Sequence, residues 1–408
     1  MFLLLGATNN RNSIMSEDIQ RQTLLKNFQK AGKMLKINES DLEEDQLGEL
    51  PSITNSTRGN SSALKSKDSE NNSGINERVQ EEKDIPNWSN FFTNNETVTI
   101  PGRNFTFNTY FKVPKDLNAD LKSIPIFLAH HGAGSTGLSF APLAKTLEEE
   151  LGSSFGFFSF DARGHGQSKP LDPSAVSYYL DDFIMDFVEL IVWYNEKYLK
   201  SFDQSKLSLV LVGHSLGGSV CTNTFEHLPE YIRKKTIGVA MLDIVEEMAK
   251  FVLTKVDHFL AITPNVFGSV SEAIDWYQSH NYSKVKESAE ISVPALFHKT
   301  KSGKIVRITN LASFKPYWDS WFNGLSAKFV SLPTSKLLIL AGNDNLDKEL
   351  IVGQMQGKYQ LIVFQDSGHF IQEDVPRKCA ISLVDFWRRS DNKNVAVKSN
   401  WGAASKNP

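Results

Sequence analysis

Ser215 stands in Gly213-His214-Ser215-Leu216-Gly217, directly after the apolar, β-branched run Leu207-Ser-Leu-Val-Leu-Val212. A strand that runs into Gly-x-Ser-x-Gly and continues as a helix-compatible stretch is the setting of a nucleophile elbow. The turn strains the serine backbone and thrusts its hydroxyl into a cleft. Glycine is needed at 213 and 217 because strand and helix pass too close there for a Cβ. The five-residue pattern alone is common by chance. Its strand context, with a histidine and aspartates downstream, points to acyl transfer through a serine nucleophile rather than to a structural turn.

A serine hydroxyl attacks only when a neighbouring base takes its proton. Chains with this elbow order the partners as serine, acid, then histidine. His369, in Ser367-Gly-His-Phe370 just past the strand-like Gln360-Leu-Ile-Val-Phe364, is placed to carry its imidazole over the elbow. His214 adjoins the serine, but the turn must point it elsewhere. His130 and His131 precede the serine, and His258, His280 and His298 fall in a long intervening segment. The acid has to fix the imidazole tautomer and stabilise the imidazolium. Pattern alone does not separate Asp243, at the end of the apolar run 235–242, from Asp344, one strand later. Asp347 lies beside Asp344, and Asp366 and Asp374 are close enough to His369 in sequence for local hydrogen bonds.

The tetrahedral intermediate needs preorganised donors at its oxyanion. One is the backbone N–H of Leu216, after the nucleophile. The other comes from His131-Gly132-Ala133-Gly134, with Ala133 the choice and Gly132 its neighbouring alternative. Arg163 and His165, in Asp161-Ala-Arg-Gly-His165, are read as ordering the adjacent loop. No His/Asp/Cys cluster has metal-ligand spacing, and neither a metal nor a cofactor is expected.

These residues sit at the ends of apolar runs: 124–129, 156–160, 207–212, 235–242, 336–341 and 360–364. Helical stretches separate them at 140–151, 179–200 and 376–389. In the second, Phe183, Ile184, Phe187, Leu190, Ile191 and Tyr194 recur at three/four spacing, as in a helix packed on a sheet. Continuous apolar strands alternating with helices predict an α/β fold, a mostly parallel sheet covered on both faces. Residues 97–100 and 104–113 alternate around Pro101-Gly102 and predict an antiparallel hairpin. The interval 245–332 has weak strand signals and many aromatics: Phe251, Phe259, Trp276, Tyr277, Phe297, Phe314, Trp318, Trp321 and Phe322. It is expected to be a helical lid insertion, most of its aromatics forming its own core and a minority lining the cleft.

The chain has 408 residues, a formal net charge of -3 and 40% hydrophobic residues, so it can build a large core and has no bias toward nucleic acid or anionic membrane. No apolar run approaches the ~20 residues of a membrane span. Cys221 and Cys379 are read as reduced thiols, which fits an intracellular, cytoplasmic or nuclear protein. Met1–Ala7 lacks a basic n-region and the roughly 7–15 apolar residues of a signal sequence. The sequons at Asn55, Asn60 and Asn95 are then products of Asn- and Ser-rich composition, and Met15 is a candidate initiator. Residues 1–86 are expected to be a disordered tail with a short helix over 16–36, capped by Ser16 and carrying Ile19, Leu25, Phe28 and Leu35 near one face. The catalytic domain is expected over 87–390 and a flexible tail over 391–408.

Longer motifs narrow the reading. From about Trp88 to Trp387 the sequence resembles the protein phosphatase methylesterases, the fungal members most. The resemblance rests on His131-Gly-Ala-Gly134, Asp161-Ala-Arg-Gly-His165, Gly213-His-Ser-Leu-Gly-Gly218, Met241-Leu-Asp-Ile-Val-Glu246, Leu338–Lys348, Gly353-Gln-Met-Gln-Gly-Lys-Tyr-Gln-Leu361 and Ser367–Asp374. It implies an α/β-hydrolase fold and removal of the methyl ester from the C-terminal leucine of the protein phosphatase 2A catalytic subunit. It also implies Asp243 as the acid, and a monomer whose lid and 355–358 region touch the phosphatase, with Lys and Arg of 301–307 as further contacts. Members of the family rearrange on meeting the phosphatase, so Ser215 and His369 need not be aligned beforehand. The rival readings are a general small-ester or lipid carboxylesterase and a non-catalytic phosphatase-binding scaffold.

Overall fold

The central strands carry apolar residues on both faces, so they can only be satisfied between two layers. In β3 (Ile124–His130), Ile124, Ile126 and Leu128 enter one core while Phe127 and Ala129 enter the other. The same alternation runs through β4 (Gly156–Phe160) and β6 (Leu207–His214), and through β7 (Thr236–Leu242) and β11 (Ser335–Ala341). The structure, a computed structural model, describes residues 85–115, 121–342 and 346–394. All of these lie in the second of two compact units, Glu82–Pro408. The expected tail and its helix, the candidate start at Met15 and most of the C-terminal tail lie outside the described residues.

The hairpin forms from β1 (Asn94–Ile100) and β2 (Phe105–Lys112), with Asn104 at a φ of 58° closing the turn. The sheet order is β1-β2-β4-β3-β6-β7-β11-β12, where β12 is Gln360–Phe364, and the two-residue β5 (Lys169–Pro170) pairs beside β2. The first two junctions are antiparallel, and β4 onward is parallel. Helices α1 (Ala141–Leu151) and α4 (Pro376–Ser390) cover one face. Helices α2 (Leu180–Tyr194) and α3 (Leu216–His227) cover the other. Phe183, Phe187, Leu190, Val220 and Phe225 are buried on that side. Each such side chain contributes about 1.5–3 kcal/mol on burial, which holds the helices where the strand ends need them.

The segment between β7 and β11 differs from expectation in two respects. It contains a small antiparallel sheet, β8 (Val266–Phe267), β10 (Ile305–Arg307) and β9 (Phe297–Lys299), in that order. Strands of two or three residues are too short to leave a readable alternation. Its aromatics also divide. Phe267, Tyr277 and Phe297 form a local core, whereas Phe314, Trp318, Trp321 and Phe322 pack into the main core. Trp321 Nε1 donates to the Tyr178 carbonyl (2.8 Å) and Ser219 Oγ to the Trp321 carbonyl (2.5 Å), tying the segment to the body of the domain.

Where β6 passes into α3, a Cβ on Gly213 would stand 2.1 Å from the Gly217 carbonyl oxygen, and one on Gly217 1.9 Å from the His130 carbonyl oxygen. Backbone cannot yield as a flexible side chain can. Gly217→Ala is therefore expected to cost about 3 kcal/mol or more. Gly102→Ala, where nothing lies within 4 Å, should change stability by less than about 0.5 kcal/mol. Urea unfolding of the two variants checks both; equal costs would contradict the packing described.

Candidate active site

Three parallel strands end at one level. His130 of β3 is in register with Gly213 of β6, and His214 with Leu242 of β7. The residues that follow, His131, Ser215 and Asp243, therefore emerge side by side at the carboxyl edge of the sheet, where ligands of such sheets bind. Ser215 has φ 51° and ψ -120°, and its N–H donates to the Leu242 carbonyl (3.0 Å). Asp243 has φ 50°, and its N–H donates to the Ile339 carbonyl (2.8 Å). Positive φ at a non-glycine residue costs of order 1–3 kcal/mol, and such strain clusters at functional sites.

Asp243 faces two donors. Its Oδ1 accepts the Ala341 N–H at the end of β11 (2.8 Å), and its Oδ2 lies 2.7 Å from His369 Nδ1. An ionised carboxylate only accepts, so Nδ1 carries the hydrogen and the neutral imidazole keeps its lone pair on Nε2. The His369 side chain is 49% exposed, open to a ligand. Ser215 Oγ makes no hydrogen bond to a described residue. Its neighbour His214 points away from the cleft, as the turn requires: Nε2 meets the His369 carbonyl at 2.8 Å.

The loop after β3 packs directly on the nucleophile. A Cβ on Gly132 would stand 3.0 Å from both Ser215 Cβ and His214 Nδ1. Within this loop the Gly134 N–H is taken by His165 Nε2 (2.9 Å) and the Ser135 N–H by the Gly132 carbonyl (3.2 Å). Leu216 opens α3, whose first N–H groups have no intrahelical acceptor. His165 and His131 hold the loop from the side. His165 accepts from Gly134, so its Nδ1 donates to the Arg163 carbonyl (2.8 Å); His131 Nε2 accepts the Ala162 N–H (2.9 Å) and its Nδ1 donates to the Gly132 carbonyl (2.7 Å). Arg163 is fixed in turn by two bonds to buried Asp186 (2.6 and 2.7 Å). From the inserted segment, Leu311 covers Gly134, and Phe314 stacks on His165 with centroids 5.0 Å apart.

Residues 125–376 match the α/β hydrolase fold family. The chain is 72% identical to protein phosphatase methylesterase 1 of Kluyveromyces lactis, over 96% of its own length and 97% of the relative's. It is 50% identical to protein phosphatase methylesterase 1 of Saccharomyces cerevisiae, over 95% and 98%. The chain belongs to the protein phosphatase methylesterase family. The solved E-2-(acetamidomethylene)succinate hydrolase is similar in fold, with a TM-score of 0.55 at 17% identity over 72% of this chain and 99% of that one.

In this methylesterase the other described candidate aspartates have partners of their own. Asp344 lies outside the described residues. Asp347 caps the helix Lys348–Met355 by accepting the Leu350 N–H (3.0 Å). Asp366 pairs with Lys378 (2.5 Å), and Asp374 accepts the Gly368 and Lys284 N–H groups (2.7 and 2.9 Å). Sequence reasoning missed the Ala341 N–H and the contact of His214 with His369. Neither has a local signal, because each joins residues about a hundred or more positions apart. No described helix is long and apolar enough to cross a membrane.

Burial holds His130 at about 3, His165 at about 4, and His131 and His214 well below the usual histidine value. On acidification below about 6.5 the unfolded chain takes up protons that these four cannot, so each costs the fold up to about 1.4 kcal/mol per pH unit until its folded value is reached. Burial raises Glu373 to about 8, which has the opposite sign: its contribution is lost as pH rises from about 4.5 to 8. Burial also raises Asp161, Asp186, Asp347 and Asp374, which share the sign of Glu373 but start from the lower aspartate value, so above pH 5 the four histidines are expected to set the slope. The unfolding midpoint should fall steadily from pH 6.5 to pH 5 in thermal melts, and a flat or rising profile would contradict the neutral-histidine assignment.

Proposed function

We propose that this chain removes the methyl ester from the C-terminal leucine of the protein phosphatase 2A catalytic subunit, using Ser215, His369 and Asp243. The observation that carries the mechanism is the 2.7 Å contact of His369 with Asp243, beside a serine held at positive φ. Ser215 Oγ attacks the ester carbonyl as His369 Nε2 takes its proton. The N–H groups of Leu216 and Ala133 stabilise the oxyanion. Ala133 is favoured because it is exposed while its neighbours' amides at 134 and 135 are already bonded. His369 then protonates departing methanol, and water, activated by the same imidazole, releases the acyl-enzyme. Asp243 holds the imidazole and is itself held by the Ala341 N–H.

The phosphatase substrate is supported by the relatives' names and by an exposed apolar helix face. Ile351 and Val352 are 43% exposed and Met355 is 83% exposed, beside a groove lined by Ala327, Val330, Lys348 and Lys358. We assign this face and the inserted segment to phosphatase contact. An intracellular location, cytoplasmic or nuclear, accords with two buried free thiols, and we take the chain to act as a monomer.

Ser215→Ala should abolish methanol release from methylated phosphatase while the two proteins still co-purify; surviving release would refute the mechanism. Asp243→Asn should lower turnover by ~10⁴-fold, and Asp344→Asn by far less. Turnover of short p-nitrophenyl esters faster than of methylated phosphatase would favour the general carboxylesterase.

A further inference from the structure

We propose that His214, the residue before the nucleophile, is a positioning residue that sets where the base His369 stands. This rests on the reading of Ser215 and His369 as nucleophile and base. His214 is 1% exposed at the end of β6, and its Nε2 lies 2.8 Å from the His369 backbone carbonyl. A carbonyl only accepts, so Nε2 carries the hydrogen and Nδ1 keeps a lone pair. That Nδ1 is buried and bonded to nothing among the described residues; it faces Gly132, where a Cβ would stand 3.0 Å away. The ring therefore has a single polar contact, and that contact is the base's own main chain. The ring also supports the base by packing, with centroids 4.6 Å from the His369 imidazole and 5.0 Å from Phe370.

His369 and the peptide bond before it are held to the rest of the domain at three points. Asp243 holds its imidazole, Asp374 holds the preceding Gly368 N–H (2.7 Å), and His214 holds its carbonyl. The first two ties fix the loop to β7 and to the helix Ile371–Asp374. Only the third ends one peptide bond from Ser215. It couples base and nucleophile directly, so that the turn presenting the hydroxyl also presents the imidazole. Its loss leaves the Asp243 bond in place but frees the imidazole to shift relative to Ser215. A displacement of about 1 Å at a reacting group costs on the order of 10²-fold in rate.

The test compares His214→Phe, which keeps the ring and removes the donor, with His214→Gln, which restores an N–H at the ε position. Both are assayed on p-nitrophenyl acetate, with rates divided by the number of sites titrated by a fluorophosphonate. His214→Phe should lower kcat per titrated site by about 10–100-fold with KM within about twofold, and His214→Gln should recover most of the loss. Unchanged kcat per site with fewer active sites means a structural role only and overturns the proposal. Ser215→Ala in the same assay tests the underlying reading: if it retains activity, that reading fails; if it is inactive while His214→Phe is normal, only this proposal fails. Should His214→Phe not fold, ring ¹⁵N shifts of the wild type decide. A neutral Nε2–H tautomer across pH 5–8 is expected, and a Nδ1–H tautomer or titration near 6.5 overturns it.

Discussion

Main chain pressed against main chain at the end of β6 is the constraint from which the rest of the site follows. The helix α3 leaves the sheet so near the strand it continues, and so near the end of β3, that neither Gly213 nor Gly217 can carry a side chain. With both neighbours pinned, Ser215 has no relaxed conformation available and sits at φ 51°. The surrounding core sustains a strain of this order because its buried aromatics and aliphatics contribute many times as much. The same closeness brings the 131–134 loop down onto the serine.

Electrostatics complete what packing begins. His130, His131, His165 and His214 surround the elbow, and each is held neutral by burial. A neutral imidazole offers one donor and one acceptor, so it can bridge two main-chain groups of opposite kind. His131 and His165 do this across the loops after β3 and β4 without placing a charge beside the serine. His369 differs in being half exposed and in facing the Asp243 carboxylate.

The inserted segment shows where local reading loses force. Phe314, Trp318, Trp321 and Phe322 have the composition of an independent core, and only the fold reveals that the sheet's own helical layer receives them. Aromatic content reports that a side chain will be buried, never against which partner. Strands of two or three residues pose the opposite difficulty, being too short for any alternation to appear. By contrast, each long central strand announced both its type and its two-sided burial, since an uninterrupted apolar run has no solvent face to offer.

The sequence by itself determined the order of the apolar strands and singled out Ser215, its glycines and the late His369 as the candidate residues between them. These are properties of residue type and spacing, and the chemistry leaves few substitutes. It left two aspartates equal by pattern, because Asp243 and Asp344 both follow apolar strands. Tertiary structure decided which residues meet. Parallel register puts Asp243 level with Ser215, and the loop after β12 leans across β11 to bring His369 within 2.7 Å of it. The partners that fix these side chains were likewise unreadable: the Ala341 N–H on Asp243, and His214 beneath His369. They are contacts between strand ends distant in sequence, and such contacts exist only once the sheet has set its register.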